Sequence, residues 1–386
     1  MIYLDNAATT LRKPPEVARA VADAVGTLGN VSRGVHGPSL AAARTVYQAR
    51  AAAARLLGCS DPAHTVFASN ATEALNMVID GIFSPMLERG EEVHIVSTDL
   101  EHNSVLRPLY RLAERGACLS FAGADRKGRI SYEQMEGLIR PETRGIVCTH
   151  ASNLTGNLLD LERIGEMAKR HGVYLIVDAS QTAGVFPIDM KRMGIDVVCF
   201  TGHKSLMGPQ GTGGLCVEGQ VPIRPWKVGG SGVHSFDRDH PRSLPEALEA
   251  GTLNACGIAG LLAGIRWIEG VGQEAIRKKE MELAELFVRM VREISGIRIY
   301  GDFSTSLRAP IVTLNLKGVQ AALLADILWT EYETAVRAGA HCAPRMHRAL
   351  GTGEAGAVRF SFSWFNTEEE AVAAARALGE ISREGC

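Results

Sequence analysis

Short apolar runs alternate with helical segments through the first half of the chain, and this alternation limits the possible folds more than any other feature. Runs of four or five residues bounded by Gly, Asp or Ser are predicted as buried strands at 65–68, 93–96, 145–148, 173–177, 196–200 and 214–217. Apolar residues at three-to-four spacing predict helices at 39–57 and 161–170. Buried strands that alternate with helices indicate an α/β domain with a mostly parallel sheet. In such domains ligands bind at the carboxyl ends of the strands.

The second half of the chain departs from this pattern. A Gly- and Pro-rich stretch at 221–245 is predicted as a long surface loop, which is often a functional element. A long helical region is predicted from 255 to 294. From about residue 297 we expect two or three strands and two helices, which form a second, smaller α/β domain.

Composition and charge narrow the class of protein. The 386 residues are 46% hydrophobic and 22% charged, which is ordinary for a globular protein with two domains. A net charge of −2, with no polybasic run, disfavours binding to nucleic acid or to membranes. The start of the chain has no basic segment followed by an apolar stretch, and no apolar run is long enough to span a bilayer. We therefore expect a cytoplasmic protein.

The eight cysteines are scattered, without the spacing of a metal site. In a reducing compartment they should be free thiols, and no metal is expected. Cys148, Cys199 and Cys216 lie in strand-like runs and are predicted as core residues.

Two polar residues at predicted strand ends point to a specific cofactor. Asp178 ends one apolar run, and Lys204 follows the end of another within Thr201-Gly202-His203-Lys204. A lysine amine can form a Schiff base with pyridoxal phosphate (PLP), and an aspartate can hold the protonated pyridine nitrogen on which the cofactor's electron sink depends. Alone, each residue is more often an ordinary loop residue or cap; together they favour a PLP site.

Further polar residues follow the other strands. The segment 69–76 opens a helix, so its N–H groups and Thr72 could bind a phosphate, although a plain helix cap by Asn70 or Thr72 is the alternative. His102 could stack on a flat ring and move protons, or it could be a surface histidine. Asn153 and Gln181 could bond a ring oxygen, and Asn153 alternatively a substrate carboxylate.

Taken in order, these motifs resemble the class V aminotransferases of PLP fold-type I, and within them the cysteine desulfurases. The resemblance covers nearly the whole chain and rests on Tyr3-Leu4-Asp5-Asn6-Ala7-Ala8-Thr9-Thr10, Asn30-Val31-Ser32-Arg33-Gly34-Val35-His36, Gly202-His203-Lys204, Glu249-Ala250-Gly251-Thr252, Val358-Arg359-Phe360-Ser361 and Asn366-Thr367. It implies a large domain at 15–258 with a mostly parallel seven-stranded sheet flanked by helices. The N-terminal segment 1–14 and residues 259–386 would form the small α/β domain.

The resemblance also implies roles for single residues. Lys204 would hold PLP, Asp178 would pair with the pyridine nitrogen, Gln181 with the ring hydroxyl, and His102 would stack on the ring. The phosphate would be bound by Ala71, Thr72, Thr201, His203 and, from the neighbouring subunit of a homodimer, Thr252. The substrate would be bound by Asn153 and Arg359, which hold its carboxylate, and by Arg33 and His36; the planar guanidinium of Arg359 matches a carboxylate.

The segment Arg337-Ala338-Gly339-Ala340-His341-Cys342 distinguishes among relatives. It resembles the short-loop group of cysteine desulfurases, which includes selenocysteine lyase-like enzymes and carries its catalytic cysteine in this context. His341, Arg337 and Arg345 predict a positive setting that favours the thiolate of Cys342. Ala340 stands where some relatives carry a second His. Arg345-Met346-His347 and Phe365 also depart from the commonest pattern, which leaves the preferred substrate and the sulfur acceptor open.

The predicted reaction converts L-cysteine to L-alanine and leaves a persulfide on Cys342, with Lys204 and His102 moving protons. The persulfide would pass to an acceptor protein or sulfur carrier. Three alternatives stay open: a selenocysteine lyase acting on L-selenocysteine, a class V aminotransferase or β-lyase for which Cys342 is incidental, and a non-catalytic scaffold for a sulfur carrier.

Overall fold

The computed structural model describes residues 1–31 and 34–384. Its strands, in chain order, are β1 (Ile2–Tyr3), β2 (Thr65–Ala68), β3 (His94–Thr98), β4 (Cys118–Ala122), β5 (Thr143–Thr149), β6 (Tyr174–Asp178), β7 (Val197–Thr201), β8 (Gly213–Val217), β9 (Ile297–Tyr300), β10 (Ile311–Leu316), β11 (Thr334–Ala335), β12 (Arg337–Gly339) and β13 (Ala357–Ser361). Its α-helices are α1 (Pro15–Thr27), α2 (Gly37–Leu57), α3 (Ala71–Glu88), α4 (Asn103–Ala113), α5 (Tyr132–Gly137), α6 (Leu161–His171), α7 (Met190–Met193), α8 (Ala255–Val271), α9 (Gln273–Arg292), α10 (Ala321–Thr330), α11 (Pro344–Leu350) and α12 (Glu368–Glu384).

A seven-stranded sheet forms the centre of the larger part, in the order β2-β8-β7-β6-β5-β3-β4. The pairs β4-β3, β3-β5, β5-β6 and β6-β7 are parallel, whereas β8 runs antiparallel to both β7 and β2. The predicted α/β class and the mostly parallel sheet are therefore confirmed. All six strands expected from apolar runs are present, with ends shifted by at most two residues.

The sheet is buried on both faces, and this explains why its strands are apolar throughout. Side chains alternate between the two faces of a strand. In β7, Val198 and Phe200 belong to one hydrophobic core, whereas Val197 and Cys199 belong to the core on the other side. The three cysteines predicted as core residues are fully buried, which confirms that prediction: Cys148, Cys199 and Cys216.

A second sheet and its helices form the rest of the structure. Four antiparallel strands in the order β12-β13-β10-β9 share a hydrophobic core with α9, α10 and α12. The N-terminal segment joins this core, because Leu4 is buried in it and its carbonyl accepts a hydrogen bond from the N–H of Ser361 at 2.7 Å. The assignment of residues 1–14 and 259–386 to a separate domain stays a prediction.

Three local predictions need correction. The helical region expected from 255 to 294 is two helices, α8 and α9, because Gly272 between them adopts φ 91°, which an α-helix does not accommodate. The part after residue 297 has five strands and three helices rather than the fewer elements predicted. Strand β4 was not predicted because Ser120 interrupts its apolar sequence and the strand is only partly buried.

The Gly- and Pro-rich stretch forms no helix or strand between 221 and 245, as predicted for a loop. Within the described part of the chain, no single helix is long and apolar enough to cross a membrane. Only the pair α8 and α9, bent by 84°, meets the criteria of length and composition together.

A buried ion pair links the segment that follows this loop, at Glu249, to the large sheet. Glu249 accepts from Nη1 of Arg50 at 2.6 Å and from the N–H of Phe67 in β2 at 2.6 Å, and both charged side chains are almost fully buried. Glu249→Ala removes the only carboxylate that the described residues place against Arg50 and leaves its charge buried. We expect the free energy of unfolding to fall by about 3–5 kcal/mol, measured by urea-induced unfolding of the apo protein.

The matched control is Glu162→Ala, which breaks the exposed pair between Glu162 and Arg192. Exposed pairs contribute about 0–1 kcal/mol, so this variant should unfold close to the wild type. Equal loss of stability in the two variants would contradict the role assigned to the buried pair.

Candidate active site

A cavity of about 200 Å³ lies at the carboxyl ends of the parallel strands. Thr149, Asp178 and Thr201 are the last residues of the neighbouring strands β5, β6 and β7, and all three line it. The other lining residues come from the segments that follow the strands, together with one residue near the N-terminus: Ala8, Asn70, Ala71, Thr72, His102, Ser104, Ala151, Asn153, Ser180, Gln181, His203 and Lys204. The structure therefore brings together most of the residues predicted for a cofactor site.

One end of the cavity suits an anion. It is formed by the first turn of α3, where Asn70 caps the helix by accepting from the N–H of Glu73 at 2.9 Å and Thr72 lines the cavity. Oγ1 of Thr201 and Nδ1 of His203, two further lining residues, are buried without any partner among the described residues. A helix N-terminus and polar atoms left without partners fit the phosphate of a cofactor. Asn70 is thus the cap, and the phosphate-binding role of Thr72 stays a prediction.

Elsewhere in the wall, Asp178 presents a carboxylate. Its Oδ1 accepts from the N–H of Ser180 at 2.9 Å and from the hydroxyl of the same residue. Its Oδ2 accepts no hydrogen bond from the described residues, so this oxygen can receive the proton of a pyridine nitrogen. Gln181 donates from Nε2 to the carbonyl of Ala7 at 3.1 Å, which leaves its amide oxygen for other contacts.

His102 has a defined tautomer. Its Nδ1 accepts from the N–H of Ser104 at 3.0 Å, so the proton of the neutral ring is on Nε2. Burial, and secondarily the nearby Lys204, lowers the pKa of His102, which keeps the ring neutral. The hydroxyl of Ser104 bonds to both His102 Nδ1 (2.8 Å) and Thr72 Oγ1 (2.7 Å). Ser104 was not predicted, because a serine in the first helical turn is common.

Lys204 has an amine that loses its proton readily. Burial lowers its pKa to about 8, although Asp178 acts in the opposite direction. Its backbone is held from the N-terminal segment: Thr10 donates from Oγ1 to the carbonyl of Lys204 at 3.2 Å, and Lys13 donates to the carbonyl of His203 at 3.2 Å. Local sequence carries no signal for these contacts, since the partners are about 190 residues apart.

Cys342 is exposed and lies next to the cavity. Its carbonyl accepts from the N–H of Asn103, beside His102, at 2.7 Å. The carbonyl of His341 accepts from Nδ2 of the cavity residue Asn153 at 2.8 Å. His341 and Cys342 have φ of 50° and 54°, a left-handed conformation that costs a non-glycine residue about 1–2 kcal/mol. The flanking contacts hold this strained turn in place.

The positive setting expected around Cys342 is largely compensated. Arg345 is paired with Asp99 at 2.7 Å, and Arg337 is paired with Asp5 at 2.8 Å. Burial lowers the pKa of His341 to about 3, so this ring is neutral. The sequence placed these three side chains near the thiol but could not show the carboxylate partners of the two arginines.

The residues predicted for the substrate are only partly brought together. Asn153 lines the cavity, and Arg359 in β13 lies behind it and donates from Nη1 to the carbonyl of Asn153 at 3.0 Å. His36 is exposed at the start of α2, away from the cavity lining, and Arg33 lies outside the described residues. Thr252, predicted for the cofactor phosphate of the neighbouring subunit, is exposed and lines a different cavity of about 140 Å³. The roles of these residues stay predictions.

The family model described as Aminotransferase class-V matches residues 2–373. The chain belongs to this family. It is 33% identical over 390 residues to a probable cysteine desulfurase of Methanothermobacter thermautotrophicus, covering all of this chain and 95% of the relative. A probable cysteine desulfurase of Mycolicibacterium paratuberculosis is 31% identical over 390 residues, and there the match covers all of this chain but 56% of the relative.

Solved structures agree with this class V membership. A cysteine desulfurase from Thermococcus onnurineus, in its apo form, superposes with a TM-score of 0.92 at 32% identity, covering 99% of this chain and 95% of that one. The cysteine desulfurase CsdA from Escherichia coli gives a TM-score of 0.88 at 30% identity, covering 99% and 94%. The predicted resemblance to the class V family is confirmed. As for metals, residues 1–31 and 34–384 contain no cluster of three His, Cys, Asp or Glu side chains that could hold an ion.

The lowered pKa of Lys204 predicts how a class V protein of this kind takes up PLP. Only the neutral amine attacks the aldehyde, so the rate of PLP binding to the apo protein should rise with pH with a midpoint near 8, its pKa here. An unperturbed lysine would give a midpoint about two units higher, near 10.4. The absorbance change on mixing, followed from pH 6 to 10, measures this profile. Lys204→Ala should abolish the absorbance change, and a midpoint near 10 in the wild type would contradict the prediction.

Proposed function

We propose that this protein is a PLP-dependent cysteine desulfurase that converts L-cysteine to L-alanine and carries the released sulfur as a persulfide on Cys342. The observation that best supports this proposal is the position of Cys342, which is exposed. Its carbonyl is hydrogen-bonded to the N–H of Asn103, and the carbonyl of the preceding His341 is hydrogen-bonded to Asn153. Asn153 lies in the wall of the cavity that contains Lys204. The names of the similar proteins support the same activity.

The side chains of the cavity fit PLP. Lys204 would carry its aldehyde carbon, Oδ2 of Asp178 its ring nitrogen, and the first turn of α3 with Thr201 and His203 its phosphate. His102 would cover one face of the ring, and Gln181 would reach the ring hydroxyl. When bound, the cofactor withdraws electrons from the α-carbon of the amino acid.

Two groups are suited to move protons. A pKa of about 8 gives Lys204 a substantial fraction of neutral amine near neutral pH, as a base at the α-carbon needs. His102 carries its proton on Nε2 and has its Nδ1 engaged by Ser104. Nε2 is therefore the atom through which His102 would exchange a proton with the substrate.

Cys342 supplies the nucleophile. Its sulfur forms a bond to the sulfur of the substrate while the bond between that sulfur and Cβ breaks. The substrate carbons leave as L-alanine, and Cys342 keeps the second sulfur as a persulfide. No external oxidant is needed, because a sulfur–carbon bond and a thiol sulfur–hydrogen bond are replaced by a sulfur–sulfur bond and a carbon–hydrogen bond.

Arg359 is the proposed ligand of the substrate carboxylate, for which the sequence had also indicated Asn153. Arg359 is 2% exposed, and its Nε is a buried donor without a partner among the described residues. A buried guanidinium with an unused N–H is a strong site for a carboxylate. Oδ1 of Asn153, also without a partner, is an acceptor and so suits a substrate N–H rather than the carboxylate.

The assembly and the destination of the sulfur belong to the same proposal. A homodimer is favoured by exposed apolar side chains at Val35, Val228 and Phe236 and by the exposed position of Thr252 outside the cavity. The exposed thiol of Cys342 is open to an acceptor protein or sulfur carrier. We propose a cytoplasmic location, since free thiols persist in a reducing compartment.

Cys342→Ala should bind PLP normally but lose the reaction. We expect alanine formation from L-cysteine, measured on the PLP-loaded protein with a reductant, to fall by more than about a hundredfold, because loss of a nucleophile removes the step itself. Cys118→Ala is the matched control, since Cys118 is also exposed but lies on the edge strand β4. It should retain wild-type activity.

The same assay separates the alternatives. Alanine formation that is unchanged in Cys342→Ala would contradict the role of this thiol. A transaminase or β-lyase would instead form a keto acid from L-cysteine, to the same extent in the wild type and in Cys342→Ala. Rates with L-selenocysteine, measured in parallel, show which chalcogen the site prefers.

The proposed homodimer predicts a mass of twice 41.4 kDa by sedimentation. Thr252→Ala should weaken PLP binding without changing that mass, because Thr252 would contribute to the phosphate site of the other subunit. A monomer that binds PLP tightly would contradict both statements.

A further inference from the structure

A closed ring of hydrogen bonds connects the proposed substrate-carboxylate site to the turn that carries Cys342. Asp5 accepts from Nη2 of Arg359 at 3.1 Å, and Arg359 donates from Nη1 to the carbonyl of Asn153 at 3.0 Å. Asn153 donates to the carbonyl of His341 at 2.8 Å, and His341 Nε2 donates to the carbonyl of Arg337 at 3.1 Å. Arg337 closes the ring on Asp5. We call these five residues the Asp5 ring.

The ring is short of one negative charge. It contains two guanidinium groups and a single carboxylate, Asp5, which is 8% exposed. Arg337 binds Asp5 through both carboxylate oxygens, with Nε at 3.2 and 3.0 Å and Nη2 at 2.8 Å, whereas Arg359 reaches it through one oxygen. A substrate carboxylate would balance the second guanidinium, and Arg359 holds Asp5 less firmly than Arg337 does.

Three residues of the ring also have hydrogen-bonding atoms that are not used. Three buried side-chain atoms lack partners in the described part of the chain: Asn153 Oδ1, His341 Nδ1 and Arg359 Nε. Buried polar atoms are rarely left unpaired, so this concentration marks a place prepared for a ligand. Each terminal nitrogen of Arg359 already donates one hydrogen bond, so a substrate carboxylate that binds the planar fork competes with Asp5 for the guanidinium.

We propose that Asp5 is a positioning residue that holds the place of the substrate carboxylate in the empty site. This role of Asp5 rests on the proposed function, in which Arg359 binds that carboxylate. Substrate binding transfers Arg359 from Asp5 to the substrate, and Asp5 stays with Arg337. Since Arg337 supports His341 through its carbonyl, the exchange changes the contacts that hold the strained turn of His341 and Cys342. Binding of a carboxylate at Arg359 is thereby coupled to the position and reactivity of the Cys342 thiol.

The test is the reactivity of Cys342 in the PLP-loaded protein. Iodoacetamide labels the thiol, mass spectrometry of the peptide gives the rate, and the exposed Cys118 is the internal reference. L-Alanine is the ligand, because it has the amine and the carboxylate of the substrate but no sulfur. Ethylamine has the amine alone. Saturation is followed by the change in cofactor absorption.

We expect L-alanine to change the labelling rate of Cys342 by about fivefold, near the lower end of couplings between sites, and ethylamine to leave it unchanged. In Arg337→Gln, which opens the ring at its half-exposed member, L-alanine should still bind but change the rate by less than about twofold. Arg345→Gln is the matched control, because Arg345 is an arginine near the same turn that pairs with Asp99 outside the ring. In this variant L-alanine should change the labelling rate of Cys342 as much as it does in the wild type.

Direct shielding of the thiol by the ligand would survive in Arg337→Gln, so an undiminished effect there overturns the coupling. Asp5→Asn, which keeps the shape of the side chain but removes its charge, should also lose the effect; if this variant fails to fold, Arg337→Gln decides alone. Binding of L-alanine without any effect on Cys342 overturns the coupling and leaves the proposed function intact. No binding of L-alanine to the PLP-loaded wild type overturns the substrate assignment together with the coupling.

Discussion

Burial of the central sheet on both faces is the constraint on which the rest of the structure depends. With helices on each side, strands β5, β6 and β7 carry mainly apolar side chains along their length, and the polar groups of the site are confined to the strand ends. Because these strands are parallel, their carboxyl ends meet at one edge of the sheet. Thr149, Asp178 and Thr201 therefore line a single cavity although they are far apart in sequence.

The same burial sets the protonation states in and around that cavity. Desolvation lowers the pKa of Lys204 to about 8 and keeps His102 neutral, so both groups can exchange protons near neutral pH. Next to the cavity residue Thr149, the fully buried Glu101 accepts from its N–H at 3.1 Å, and burial raises the pKa of Glu101 to about 8. Its neutral form leaves Asp178 as the negative charge next to the proposed ring nitrogen.

The N-terminal segment connects the two sheets of the molecule. Thr10 and Lys13 hold the backbone of His203 and Lys204, whereas Leu4 and Asp5 join the core and the Arg337–Arg359 region of the second sheet. The proposed catalytic lysine and the proposed substrate arginine are thus supported by the same short segment. This arrangement makes the coupling through Asp5 physically direct, because only a few bonds separate the carboxylate site from Cys342.

Periodicity and strand-end residues by themselves determined much about this protein. The α/β class, the six apolar strands and the grouping of Thr72, His102, Asp178 and Lys204 follow from local sequence, because a buried parallel sheet imposes both the apolar runs and the place of the polar residues. Strand β4 and the break at Gly272 were not predicted, because Ser120 interrupts the apolar run of β4 and the break depends on a single backbone angle. The carboxylates that pair with Arg337, Arg345 and Arg359 were decided only by the tertiary structure. Those pairs join residues 246 to 354 positions apart, and no local pattern encodes which charges the fold will bring into contact.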